Sequence, residues 1–148
     1  MSESFKIVVP TDFSKNSLAA LDWVKRFADQ EDAEVHCVTV AQEPMMYMPA
    51  MGGAAVATMP SIGEVKTIAE DSIENFSVSN LSDLDTPPVT KVLTGRPAEE
   101  IAAYAKSIDA EMIVMATRGQ SGLAHMLLGS TAEGVVRQAE CAVLTVRS

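Results

Sequence analysis

Glu111 to Arg137 reads EMIVMATRGQSGLAHMLLGSTAEGVVR. Glu111 to Ala116 is a short, nearly continuous apolar run, the signature of a buried strand. A turn carrying Gly119 and Gly122 follows it. Gly129-Ser130-Thr131 then opens a segment with Ala132, Val135, Val136 and Ala139 at helical spacing. Strand, glycine-containing loop and helix together form an arrangement that cradles phosphate. Glycine lets backbone approach an anion, and the free amides at a helix start point towards it.

A chain of 148 residues suits one domain with a full core, with no need of disulfides or a structural metal. The formal net charge of −9 argues against nucleic acid or an anionic membrane as partner, because phosphate surfaces select basic ones. Cys37 and Cys141 both stand in apolar, strand-like runs and read as buried free thiols in a reducing compartment. MSESFKIVVP has neither the basic start nor the extended apolar centre of a secretory signal. No run approaches the ~20 apolar residues of a membrane span. The expected location is the cytoplasm.

In chain order, strand and helix alternate. Phe5 to Val9 is β-rich and stops at Pro10-Thr11-Asp12. Ser14 can cap a helix with Leu18, Leu21, Val24 and Ala28 on one face. Glu34 to Val40 is the second strand. Residues 43–60, EPMMYMPAMGGAAVATMP, break the rhythm. Ser61 to Leu81 resumes a weakly amphipathic helical pattern through Val65, Ile68, Ile73 and Phe76. Val89 to Leu93 is a third strand. Gly95-Arg96-Pro97 then leads into a helix with Glu99 and Glu100 in its first turn and Ile101, Ala102, Ala105 and Ile108 as its stripe. After Glu111 to Arg137, Ala142 to Val146 forms the fifth strand.

Strands joined by helical crossovers make a mainly parallel sheet covered on both faces. The expected fold is α/β: a single doubly wound domain over residues 1–148, with a five-stranded sheet in the order 3-2-1-4-5. Ligands of such sheets lie at the carboxyl ends of the strands, where the order reverses. There, Pro10-Thr11-Asp12 would meet Ala116-Thr117-Arg118-Gly119.

These segments carry a family likeness. Pro10-Thr11-Asp12-Phe13-Ser14 resembles the opening signature of the universal stress protein family. Met115-Ala116-Thr117-Arg118-Gly119, nine further residues and then Gly129-Ser130 resemble its nucleotide-binding pattern, Gly-x2-Gly-x9-Gly-Ser/Thr. Gly95-Arg96-Pro97 and Ala142-Val143-Leu144-Thr145-Val146 resemble two further segments of the family. The likeness spans essentially the whole chain, in order.

The resemblance implies an ATP- or AMP-binding branch; bound phosphates usually bring Mg2+, which Asp12 could hold directly or through water. Asp12 matches the acidic residue near the adenosine, at the end of the Pro10-Thr11-Asp12 turn. Val40 and Met115 match apolar contacts on the adenine side. Gly119, Gly129, Ser130 and Thr131 match phosphate-binding positions, mainly through backbone amides, with a further bond from the Ser130 hydroxyl. Arg118 reads either as a phosphate or ribose partner or as a solvated loop residue. The lesser reading of Asp12 is a cap on the following helix or a bond within its own loop. Ala116 stands where the pattern has its first glycine, which adds a methyl group at the ligand's approach. The resemblance also implies a homodimer through the last strand, Ala142-Val146.

Neither His36 nor His125 has metal-ligand companions at useful spacing, and both read as packing or surface residues. No nucleophile–base pair is visible. The chain also lacks the Gly-Lys-Ser/Thr of a P-loop, so no lysine reaches a transferring phosphate. The expectation is an adenine-nucleotide-binding stress-response protein acting as a dimeric switch, not an enzyme, although slow ATP hydrolysis stays open. The competing reading is a dimeric interaction protein of the same fold that uses no nucleotide. Met45, Met46, Met48, Met51 and Met59 with Tyr47 form a flexible, adaptable apolar segment that reads as a lid, an interface or a passive loop.

Overall fold

The apolar runs become five strands: β1 (Lys6–Pro10), β2 (Glu34–Ala41), β3 (Val89–Thr94), β4 (Met112–Ala116) and β5 (Ala142–Val146). The structure, a computed structural model, describes residues 3–42, 60–118 and 128–148. Gly119, Gly122, His125 and the Met-rich segment up to Met59 lie outside the described residues. All pairings are parallel, as the alternation of strand and helix implies, and the order is the expected β3-β2-β1-β4-β5.

Helices α1 (Leu21–Glu31), α2 (Ile62–Leu81), α3 (Pro97–Ser107) and α4 (Ser130–Gln138) supply the crossovers. Period-two alternation along the strands sorts the core into two layers. Ile7, Val9, Val35, Cys37 and Val114 face Leu21 and Val24 of α1 and Ile73, Phe76 and Leu81 of α2. Val8, Val38, Ile113 and Met115 face Ile101 and Ala105 of α3 and Ala132 and Val135 of α4.

Local chemistry sets the helix ends. Ser61 accepts from the Glu64 amide as the N-cap of α2. Pro97 stands in the first turn of α3, with Glu99 and Glu100 on the positive end of its dipole. Ser14 caps not an α-helix but a 3-10 segment, Lys15–Ala20, which runs into α1. The tighter winding turns Leu18 off the expected face, and it is 41% exposed. Val136 also lies outside its stripe and is exposed, while Ala132 and Val135 are buried.

α3 and α4 approach so closely that a Cβ placed on Gly134 would stand 2.5 Å from the Ala98 Cβ. Gly95 adopts φ +133°, a conformation open essentially to glycine, where the chain leaves β3 for α3. His36 is buried between β2 and α3. Its Nδ1 lies 2.7 Å from the Tyr104 hydroxyl and its Nε2 2.5 Å from Glu34 Oε1, so it packs as a satisfied polar core residue.

Candidate functional site

A notch opens in the sheet where its order reverses. The β1–β4 ladder pairs only Ile7 with Met112 and Val8 with Ile113, so Val9 and Pro10 run on unpaired beside Val114, Met115 and Ala116. Pro10 explains part of this. The Thr11 amide donates to the Val38 carbonyl of β2 at 2.8 Å. Amide directions alternate along a strand, so the Pro10 nitrogen faces β4 and has no hydrogen to give.

β2 outruns β1 on the other side of the notch. Pro10 is level with Val38, and β2 continues through Thr39, Val40 and Ala41. The Ala41 carbonyl accepts from the Gly95 amide, towards β3, at 3.1 Å. By the same alternation the Val40 N–H and C=O turn to the side where β1 has ended. Val40 therefore brings a backbone donor–acceptor pair to the notch, while its side chain packs against the α3–α4 layer. Met115, only 6% exposed, packs in that layer too.

Hydrogen bonds lock the loop after β1. The hydroxyls of Thr11 and Ser17 lie 2.9 Å apart, and the Phe13 amide donates to Thr11 Oγ1 at 3.0 Å. Asp12 Oδ1 accepts from the Ser14 amide at 3.0 Å and from the Ser14 hydroxyl. This is the loop-bonding role the sequence left open for Asp12. Phe13 is held at φ 66°, unusual for a bulky residue, with its ring edge-on to Phe76 at 5.9 Å.

α4 starts across the notch. Gly129 is its N-cap in extended backbone, and its amide donates to the Thr117 carbonyl at 2.6 Å. That amide therefore holds the loop here, and the next amides of the helix are the ones turned to the cleft. The Gly129 carbonyl accepts from the Glu133 amide, and among the described residues no side chain caps the helix. The amides of Ser130, Thr131 and Ala132 are the ones a helix start leaves without intrahelical partners. Thr117, 7% exposed, has a hydroxyl with no hydrogen-bond partner among the described residues. Arg118 turns towards the end of β5, with Nη2 3.3 Å from Ser148 Oγ and 3.4 Å from Ser148 O.

These parts enclose a cleft of about 940 Å3. Of the residues singled out from sequence, Pro10, Thr11, Asp12, Val40, Met115, Ala116, Arg118, Gly129, Ser130 and Thr131 all line it. Asp12 and Arg118 are the only charged side chains lining it among the described residues. Phe13 and Thr117, neighbours of those residues, line it too, and so do parts that no motif marks: Thr39 and a wall from α2 made of Val65, Ile68, Ala69 and Ser72. That wall has a signal, since these positions follow i, i+3, i+4, i+7 spacing. α2 carries a second stripe for the core, through Ile73, Phe76, Ser77 and Leu81. Two stripes explain its weak amphipathicity, and Ile68, on the cleft side, is 62% exposed. A second cavity, at the amino ends of the strands beside Asp29 and Asp85, holds about 60 Å3 and is too small for a nucleotide.

Burial pushes the Cys37 thiol up to about 12, so it stays protonated at neutral pH. Cys141 is also raised, first by desolvation. No described helix is long and apolar enough to cross a membrane.

Comparison with known proteins agrees with this architecture. Universal stress protein MJ0531 of Methanocaldococcus jannaschii is 35% identical over 96% of this chain and 81% of its own length. The structure of protein MJ0577 from the same organism superposes with a TM-score of 0.78 at 28% identity, covering 98% of this chain and 96% of that one. Two more distant structures share the fold and were solved with ligands. The universal stress protein of Archaeoglobus fulgidus in complex with dAMP has a TM-score of 0.68 at 21% identity, covering 96% of this chain and 97% of that one. A universal stress protein in complex with cAMP has a TM-score of 0.61 at 24% identity, covering 99% and 98%. The family model for universal stress proteins matches residues 4–147 from end to end, so the chain belongs to the universal stress protein family.

Proposed function

We propose that this protein binds an adenine nucleotide, ATP or AMP, in the cleft between β1 and β4 and acts as a dimeric switch. The observation that carries the reading is the pairing of two unlike recognition elements in one cleft. The uncapped amides of Ser130, Thr131 and Ala132 suit phosphate. Across the notch, the Val40 N–H and C=O match the acceptor N1 and donor N6 of adenine. Relatives of the same fold solved with dAMP and cAMP support a nucleotide of this class. Mg2+ would arrive with the phosphates, and Asp12 is the only carboxylate lining the cleft among the described residues.

Binding is better supported than turnover. The described lining contains no lysine, histidine or cysteine to activate a nucleophile or stabilise a transferring phosphate. Purified protein should release an adenine nucleotide on denaturation, identified by mass spectrometry, and titration calorimetry of the emptied protein should show one site per chain. Phosphate release in the steady state should stay near background. If the emptied protein binds neither ATP nor AMP, the nucleotide-free interaction protein becomes the better reading.

For the dimer, the two sheet edges are unequal. β3 carries Lys91 and two threonines, which discourage edge pairing, whereas β5 is AVLTV with no charge and its last four residues are half-buried. Pairing of β5 with its copy across a two-fold axis would remove both apolar edges. Val143→Lys with Thr145→Pro should turn dimers into monomers or insoluble protein, read by sedimentation velocity. A soluble variant sedimenting like the wild type would put the interface elsewhere. The cytoplasm remains the proposed location.

A further inference from the structure

The α2 wall and the strand floor beneath it carry a feature that the nucleotide motif does not contain. Thr39 lies on β2 just beyond the level where β1 ends, and it is 6% exposed. It alternates with Val38 and Val40, which pack towards α3 and α4, so its side chain turns to the α1–α2 side with Cys37 and Ala41. Its hydroxyl has no hydrogen-bond partner among the described residues, although Thr39 lines the cleft. No buried side-chain oxygen or nitrogen among those residues is stranded, so this hydroxyl is not sealed away from the cleft. Val65, Ile68 and Ala69 of α2 line the same cleft, and Ile68 is 62% exposed there. Among the α2 residues on this wall, Ser72 is the only polar one, and none is charged.

A wall of this kind cannot hold phosphate and suits the face of a neutral heteroaromatic ring. We infer that Thr39 is a specificity residue: its hydroxyl accepts a hydrogen bond from the exocyclic amine of the bound adenine while Ile68 covers the ring face. The inference rests on the adenine-nucleotide reading and deepens it. With phosphate on the α4 amides, the six-position edge is the part of the base farthest from the ribose and reaches deepest along the notch. The amine has two hydrogens, so the Val40 carbonyl can take one and Thr39 the other.

The test pairs a change in the protein with a change in the ligand. AMP and purine riboside 5′-monophosphate, which lacks only the amine, are titrated into the wild type, Thr39→Val and Ile68→Ala. Valine keeps the shape of threonine, and Ile68 is exposed, so neither change reaches the core. A buried hydrogen bond changes affinity by about two- to tenfold. Part of the wild-type preference for AMP over the amine-free analogue should therefore vanish in Thr39→Val, by about two- to tenfold. Ile68→Ala should weaken both ligands in parallel, by about fivefold on the area removed. An AMP preference unchanged in Thr39→Val overturns the assignment of Thr39, and full affinity in Ile68→Ala overturns the placement of the ring against α2. Failure of the wild type to bind either nucleotide would instead sink the reading on which the inference rests.

Discussion

Gly129→Val should fold normally and lose adenine-nucleotide affinity by about a hundredfold, equivalent to ~3 kcal/mol of contacts. The fold tolerates the change because Gly129 sits at φ −71° and ψ 167°, extended backbone that valine adopts readily. Its amide still donates to the Thr117 carbonyl whatever the side chain. The damage falls on the ligand. A branched side chain at the N-cap would stand where phosphate meets the Ser130, Thr131 and Ala132 amides, and those donors are useful only at hydrogen-bond distance. Gly129→Ala, with one methyl group, should cost less. Calorimetry measures the affinities, and circular dichroism with thermal melting checks the fold. A folded Gly129→Val protein that titrates like the wild type would remove this helix start from the site.

Gly134→Ala should destabilise the protein, against the usual trend for glycine in a helix. Helix propensity alone would favour alanine by about 1 kcal/mol. The new methyl, however, would lie 2.5 Å from the Ala98 Cβ, and neither atom can rotate away because both are fixed to helix backbones. Overpacking of this kind costs about 1–3 kcal/mol, so α3 and α4 must separate and the net effect is a loss. At roughly 2–4 °C per kcal/mol, the melting temperature should fall by several degrees. Ala98→Gly in the same chain should return much of that loss, and a double-mutant cycle would measure the coupling. If Gly134→Ala melts higher than the wild type, the close approach of the two helices is not what constrains this position. α3 contributes Pro97 and Ile101 to the cleft, and α4 contributes its first turn, so separating them should also weaken nucleotide binding severalfold.

The local alternation of the chain specified the class of fold. KIVVP, EVHCVTVA and MIVMA are short and nearly continuous apolar runs, and only a sheet covered on both faces buries such strands completely. Ser61 before α2 and Pro97 opening α3 set helix starts through chemistry confined to a few neighbouring residues. The candidate site was legible in the same way. Pro10, Asp12, Ala116 and Gly129 stand at element ends, and strand ends at a switch point converge whatever fills the interior.

Other features belong to relations between elements. Periodicity tells which side of its own helix a residue occupies, not what stands opposite. Ile68 and Ile73 look alike in the sequence, yet one faces the cleft and the other is 2% exposed in the core. Val40 reads as an apolar contact, but its backbone reaches the notch only because β1 stops at Pro10 while β2 continues to Ala41. The Gly129 amide looks free until the Thr117 carbonyl is found 2.6 Å away. The strands, the helices and their alternation were readable from residue order alone, because they follow from interactions within a few neighbouring residues. Which amides at a helix start face the cleft, which apolar stripe is left for a ligand and how near two helices come emerge only when the elements pack. Those depend on strand lengths and packing distances set between segments far apart in the chain.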